Sequence, residues 1–164
     1  ELHALAADLN KHRVALPKTQ LTLNDFVNDG LHYRMSPEVV LYFSPNCFGT
    51  ADLIGYDDKK KRLRICDLNT GSGEVKHFDQ LYIYASLFCL EYKVKPMNLQ
   101  FDLRLYQNDH IKIATNADPK YIKLGPNADI YEEVSPDEIA HIMDRIQHFD
   151  QLINKLRAEE SEQW

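Results

Sequence analysis

The sequence predicts one α/β domain in which helices flank a β-sheet, and three features carry that prediction. Residues 62–68 alternate, with Arg62, Arg64 and Cys66 on one side and Leu63, Ile65 and Asp67 on the other, the two-residue period of a strand. Ile139, Ile142, Met143, Ile146 and Phe149 instead recur at helical spacing behind Ser135-Pro136-Asp137-Glu138. The chain has 164 residues, 44% of them hydrophobic, which suits one core, and it shows no internal repeat or linker.

In chain order, Leu2, Leu5, Ala6, Leu9 and Leu16 share a helical face, so residues 1–16 read as a helix ended by Pro17. Residues 21–35 hold a short helix or an ordered loop. Three extended segments follow at 38–43, 48–56 and 62–68. The first stops at Ser44-Pro45-Asn46, and the polar turn Asp57-Asp58-Lys59-Lys60-Lys61 joins the other two, so together they predict an antiparallel meander. Residues 74–92 read as a helix that is apolar nearly all round, through Leu81, Ile83, Leu87, Phe88 and Leu90, and therefore buried on the sheet; Pro96 closes it. Residues 99–106 alternate as a strand, and Ile111-Lys112-Ile113 is placed to pair with it across Gln107-Asn108-Asp109. In the last helix Ser135 is the expected N-cap, Pro136 the first helical residue and Glu138 the partner in a capping box, with the charged tail beyond Lys155 expected to fray.

Composition narrows the functional classes. No apolar run is long enough to span a bilayer, and the N-terminus lacks the basic stretch and apolar core of a signal peptide. The first residue is Glu1 rather than Met, which fits a fragment or processed product with a preceding segment removed. Cys47, Cys66 and Cys89 are widely spaced, odd in number and form no CxxC pair. That pattern argues against a zinc ribbon, an iron–sulfur cluster or a disulfide framework, and for reduced thiols in a cytoplasmic protein. A formal net charge of −6 and a pI of about 5.6 exclude a broad basic surface gripping DNA. They remain compatible with a carboxylate-rich metal site bordered by a local basic rim.

The stretch from Gly49 to Tyr84 holds the residues that carry chemistry. Asp52 and Asp67, near the ends of adjacent predicted strands, can converge on one divalent cation, because Mg²⁺ prefers carboxylate oxygen and water. Asp67 and Asn69 lie two apart and share a strand face, with the Leu68 carbonyl between them as a third oxygen. Gln80 and Tyr84 lie four apart on one helix face. Taken singly, Asp52 reads as a turn residue, His3 as an exposed helix residue, Gln80 and Tyr84 as helix packing, and Glu38 as the start of a strand. The cluster from Lys59 to Arg62 reads as a solvated hairpin turn. A strand-borne Asp67 between Ile65 and Leu68 is different, because it needs a partner.

In order and spacing these residues resemble the PD-(D/E)XK nuclease superfamily, in its RecB-like and phage-exonuclease branch. Gly49-Thr50-Ala51-Asp52 matches the family's G-x-x-D element, Asp67-Leu68-Asn69 its D/E-x-K element except at the last position, and Gln80 with Tyr84 its Q-x-x-x-Y helix. His3 looks like the family's N-terminal histidine ligand. The resemblance covers residues 3–92 and holds for the remainder only by overall pattern. It implies a central mixed β-sheet flanked by helices, a restriction-endonuclease-like core. It implies Mg²⁺ or Mn²⁺ held by His3, Asp52, Asp67 and the Leu68 carbonyl, and DNA as substrate, cut by a phage-type exonuclease in the cytoplasm of a bacterial host. A homo-oligomer or a phage recombination partner is compatible with it; a membrane partner is not.

Position 69 departs from the family. Asparagine donates a hydrogen bond but brings no positive charge, and losing the lysine costs about 10²–10³ in rate if it resembles the loss of one transition-state donor. An introduced Lys→Asn change, natural loss in a DNA-binding or complex-forming module, and migration of the lysine to Lys76 are the three readings. Lys76, Gln80 and Tyr84 would share one helix face.

Overall fold

The computed structural model describes residues 1–17, 22–71, 73, 77–122 and 124–163. Helices α1 (Leu2–Lys11) and α2 (Thr22–His32) precede strands β1 (Ser36–Ser44), β2 (Cys47–Asp57) and β3 (Arg62–Leu68). Then come α3 (Asp79–Tyr92), β4 (Gln100–Gln107), β5 (His110–Thr115), β6 (Ala128–Glu133) and α4 (Pro136–Glu162). The six strands lie in sequence order in one mixed sheet, as expected for an α/β domain with a central mixed β-sheet flanked by helices.

The antiparallel meander of β1, β2 and β3 is as the alternation predicts. β3 then pairs with β4 in parallel, which requires a crossover, and α3 supplies it. Asn108 and Asp109 close the antiparallel β4–β5 hairpin with φ of 53° and 59°, the left-handed pair that a two-residue turn demands. β6 completes the sheet parallel to β5.

Each face of the sheet carries its own core. Leu41, Leu63, Ile65, Phe101 and Leu103 pack under α3 and α4, meeting Leu81, Ala85, Ile139 and Ile146. Leu53, Cys66, Tyr106, Ile111 and Ile113 pack under α1 and α2, meeting Ala6, Phe26 and Val27. Burying each such aliphatic or aromatic side chain contributes about 1.5–3 kcal/mol.

Several boundaries differ from the periodicity. α1 stops at Lys11, well before Pro17, because Arg13 turns left-handed (φ 54°) and the Val14 amide bonds back to the Leu9 carbonyl. Residues 22–32 are a helix rather than a loop, with Phe26, Val27 and Gly30 buried. α3 begins at Asp79, later than expected, while residues 74–76 lie outside the described ones. Ser135 caps α4 through its backbone carbonyl and not its side chain, so the capping box does not form; Pro136 does open the helix. α4 runs on to Glu162 instead of fraying at Lys155. β6 has only a short apolar repeat, Ala128 and Ile130 against the core under α1 and α2, and the rest of this edge strand is exposed.

The Arg62–Arg64–Cys66 side of β3 faces α2 and is not a solvated face. Arg62 is only 3% exposed, its Nε and Nη2 donating to Gln100 Oε1 at 3.2 and 2.8 Å. The parallel register sets Arg64 beside the fully buried Asp102, whose oxygens accept from Arg64 Nε at 3.1 Å and Arg104 Nε at 2.8 Å. The Arg64 guanidinium also lies 4.1 Å over the Tyr33 ring. Removing Asp102 takes the shared carboxylate from both guanidinium groups and leaves Arg104 only its 3.7 Å ion pair with Asp29. The Asp102→Ala variant should therefore lose about 3–5 kcal/mol in urea unfolding, and a loss under about 1 kcal/mol would show that the ion cluster is not buried as described.

Candidate metal centre

Pairing between β2 and β3 ends at Leu53↔Cys66. The next residues in that register are Asp52 and Asp67, two carboxylates brought opposite each other where the strands part. Like charges directly opposite in a sheet repel. A proton on Asp67, turned toward Asp52, relieves that repulsion. Burial first, and then Asp52, push the Asp67 carboxyl up to about 7.

Where the ladder stops, the Leu68 amide donates to Asp52 Oδ2 at 2.9 Å, so a side chain takes over a bond that backbone would otherwise make. Beside it on the same strand edge, His3 Nε2 of α1 donates to the carbonyl of Leu68, in the next peptide unit, and stands 3.6 Å from Asp52 Oδ2. α1, β2 and β3 thus deliver an imidazole nitrogen, a backbone oxygen and two carboxylates to one point.

α3 closes the cleft from the opposite face. Gln80 Nε2 donates to the Tyr84 hydroxyl at 2.7 Å. Burial, followed by the nearby Asp67 and Asp52, raises the Tyr84 hydroxyl above the ordinary phenol range. Gly49 is what admits this ring, since a Cβ there would lie 2.7 Å from Tyr84 Cε1. A glycine three residues before Asp52 therefore has a steric reason in this fold.

The resulting cavity holds about 320 Å³ and is lined by His3, Asp52, Asp67, Leu68, Asn69, Gln80 and Tyr84, together with Thr70 and Gly71. All the side chains singled out from the sequence reach it. Asn69 Oδ1 accepts from the Gly71 amide at 2.8 Å, so this side chain stabilises its own turn. Lys76 lies outside the described residues.

Sequence reasoning gave Glu38 little weight. It falls between the pairs Pro37↔Leu53 and Val39↔Ala51, hence opposite Asp52, and it lines a smaller cavity with His3, Ala7, Phe26 and Asp52. Its φ of 49° is left-handed within a strand, a conformation that costs a non-glycine residue about 1–3 kcal/mol. Across from it the facing of β2 skips: Ala51 and Ile54 join the core under α3 and α4, while Leu53 joins the other. No residue pattern in 36–44 announces this.

Among the described residues no group of three His, Cys, Asp or Glu side chains is already posed to hold a metal ion. Metal binding would have to displace the proton between the aspartates and the His3–Leu68 hydrogen bond. The donor set nevertheless fits a hard divalent ion with mixed oxygen and imidazole ligands, and two opposed carboxylates are neutralised by a cation as well as by a proton. Compared with protein-family models, with curated proteins and with solved structures, the chain matches none.

Because the raised Asp67 carboxyl must lose its proton to bind a cation, Mn²⁺ affinity should fall about tenfold per pH unit below about 7. Calorimetry in buffers of different ionisation heat should detect the released proton; affinity flat between pH 5.5 and 8 would contradict the shared proton. The stability contribution has the opposite slope. A carboxyl raised above its unfolded value favours the fold fully below that unfolded value and loses this contribution as pH rises toward 7. Without metal, Asp67→Asn should therefore melt higher than the starting chain at pH 8 while losing Mn²⁺ binding. The Gly49→Ala variant, by crowding Tyr84, should cost about 1–3 kcal/mol in chemical denaturation.

Proposed function

We propose that this chain is a metal-dependent nuclease domain of the PD-(D/E)XK type, hydrolysing phosphodiester bonds in DNA as a phage-type exonuclease. The observation that supports it most is the convergence of His3, Asp52, Asp67 and the Leu68 carbonyl, from three separate elements, beside the Gln80–Tyr84 pair. Those first four groups would hold Mg²⁺ or Mn²⁺, which when bound supplies an activated water and polarises the phosphate.

The chain's own residues have distinct parts. The Tyr84 hydroxyl and Gln80 carboxamide, already hydrogen-bonded together, are neutral groups positioned to meet a phosphate oxygen without adding repulsion. The Leu68 amide keeps Asp52 oriented, and His3 holds the Leu68 carbonyl beside it. Asn69, tied to the Gly71 amide and uncharged, does not offset charge on a scissile phosphate. That feature favours a second reading, a DNA-binding or complex-forming module that keeps the fold but has lost catalysis.

A DNA cleavage assay with Mn²⁺ separates the two. The Asn69→Lys variant should cut at least about 10²-fold faster than the starting chain, and Asp67→Ala should not cut. If Asn69→Lys and the starting chain both bind Mn²⁺ yet neither cuts, the enzymatic reading fails and the binding module stands.

A further inference from the structure

β1 begins at Ser36↔Ile54, so the last part of β2 has β3 on one side only. Along that open edge, between the end of α2 and the β2–β3 hairpin, lies a groove of about 590 Å³, larger than the cleft. We propose that this groove docks the phosphodiester backbone of a nucleic acid.

The charge there runs against that of the molecule. Arg34, Lys59, Lys60 and Arg64 line the groove on a chain whose net charge is −6. Its two carboxylates are engaged locally: Asp57 Oδ1 accepts from the amides of Lys59 and Lys60 at 3.1 Å each, and Asp58 pairs with Lys61 at 2.8 Å. Among the described residues the side chains of Arg34, Lys59 and Lys60 make no hydrogen bond or ion pair of their own, so three exposed cations converge on one concavity. Positive charge in a groove on an acidic protein focuses the field on that groove and draws a polyanion to it.

The rings at the groove are already engaged: Tyr56 borders it, but its ring packs 5.6 Å from that of Phe88 on the α3 side of the sheet, and Tyr33 lies beneath the Arg64 guanidinium, so the groove meets phosphates rather than bases. The ligand class rests on the nuclease reading: Asp52 of the cleft and Asp57 of the groove sit on the same strand, about 17 Å apart along it.

The test is fluorescence anisotropy with a labelled oligothymidine strand of about twenty nucleotides, in chelator, so that binding is read without cleavage. Arg34→Glu/Lys59→Glu/Lys60→Glu should weaken binding at least tenfold and reduce the slope of log K against log salt by about 2, as expected for three lost phosphate contacts. Reversing three cations on α4, by Arg145→Glu/Lys155→Glu/Arg157→Glu, should change affinity less than about twofold. The exposed pair Lys59→Glu/Lys60→Glu, checked for an unchanged melting temperature, serves if the triple variant fails to fold. Equal losses from both triple variants, or no binding of the strand, would each overturn the proposal. Strand binding that needs the groove in a protein that never cuts would sink the nuclease reading while leaving the groove in place.

Discussion

The separation of β2 from β3 after Leu53↔Cys66 governs the candidate site. Had the ladder continued, the Leu68 amide would bond to β2 backbone, and Asp52 and Asp67 would be an opposed pair on a closed surface. Because the strands part, the amide turns to the Asp52 carboxylate and the Leu68 carbonyl is left for His3. The two peptide units that meet at Leu68 therefore join α1, β2 and β3, and the cleft is the space between the parted strands. A buried amide cannot remain unpaired without a penalty of about 1–3 kcal/mol, so Asp52 is held by the fold even without a bound ion.

The same arrangement has a cost in stability. Two aspartates at a partly buried fork share a proton, and Glu38 across the next strand adopts left-handed backbone. Neither feature improves folding. Gly49 removes a side chain so that Tyr84 can reach the carboxylates, trading packing for access. Such local conflicts with the rules that stabilise a sheet gather where a fold serves chemistry.

Away from the cleft, the arginines of β3 and β4 explain how an acidic chain tolerates its sheet. Arg64 and Arg104 are used inside, clamped on Asp102, and Arg62 is held by Gln100. The net charge therefore understates how acidic most of the surface is, and makes the cationic groove at the β2–β3 hairpin more distinct.

Much of the fold was legible because periodicity belongs to residues that are neighbours along the chain. The alternation over 62–68, the four-residue spacing of Gln80 and Tyr84 and the stripe from Ile139 to Ile146 each report a local repeat, and each became the expected element. Asp52, Asp67 and Leu68 could also be brought together from their places near adjacent strand ends, whereas His3 could be assigned to the same place only by resemblance. What depends on distant pairing was hidden. Edge strand β6 turns only Ala128 and Ile130 to the core, too short a repeat to read beside Asp129, Glu132 and Glu133. The arginine side of β3 reads as polar, yet it is buried because parallel β4 sets Asp102 beside Arg64. Glu38 is an ordinary strand residue until β2 changes facing opposite it. By itself, then, the sequence determined the strand and helix periods and the chemical inventory. Tertiary structure decided where the β2–β3 ladder ends and which charges are buried, because both follow from contacts between residues far apart in the chain, which local periodicity does not encode.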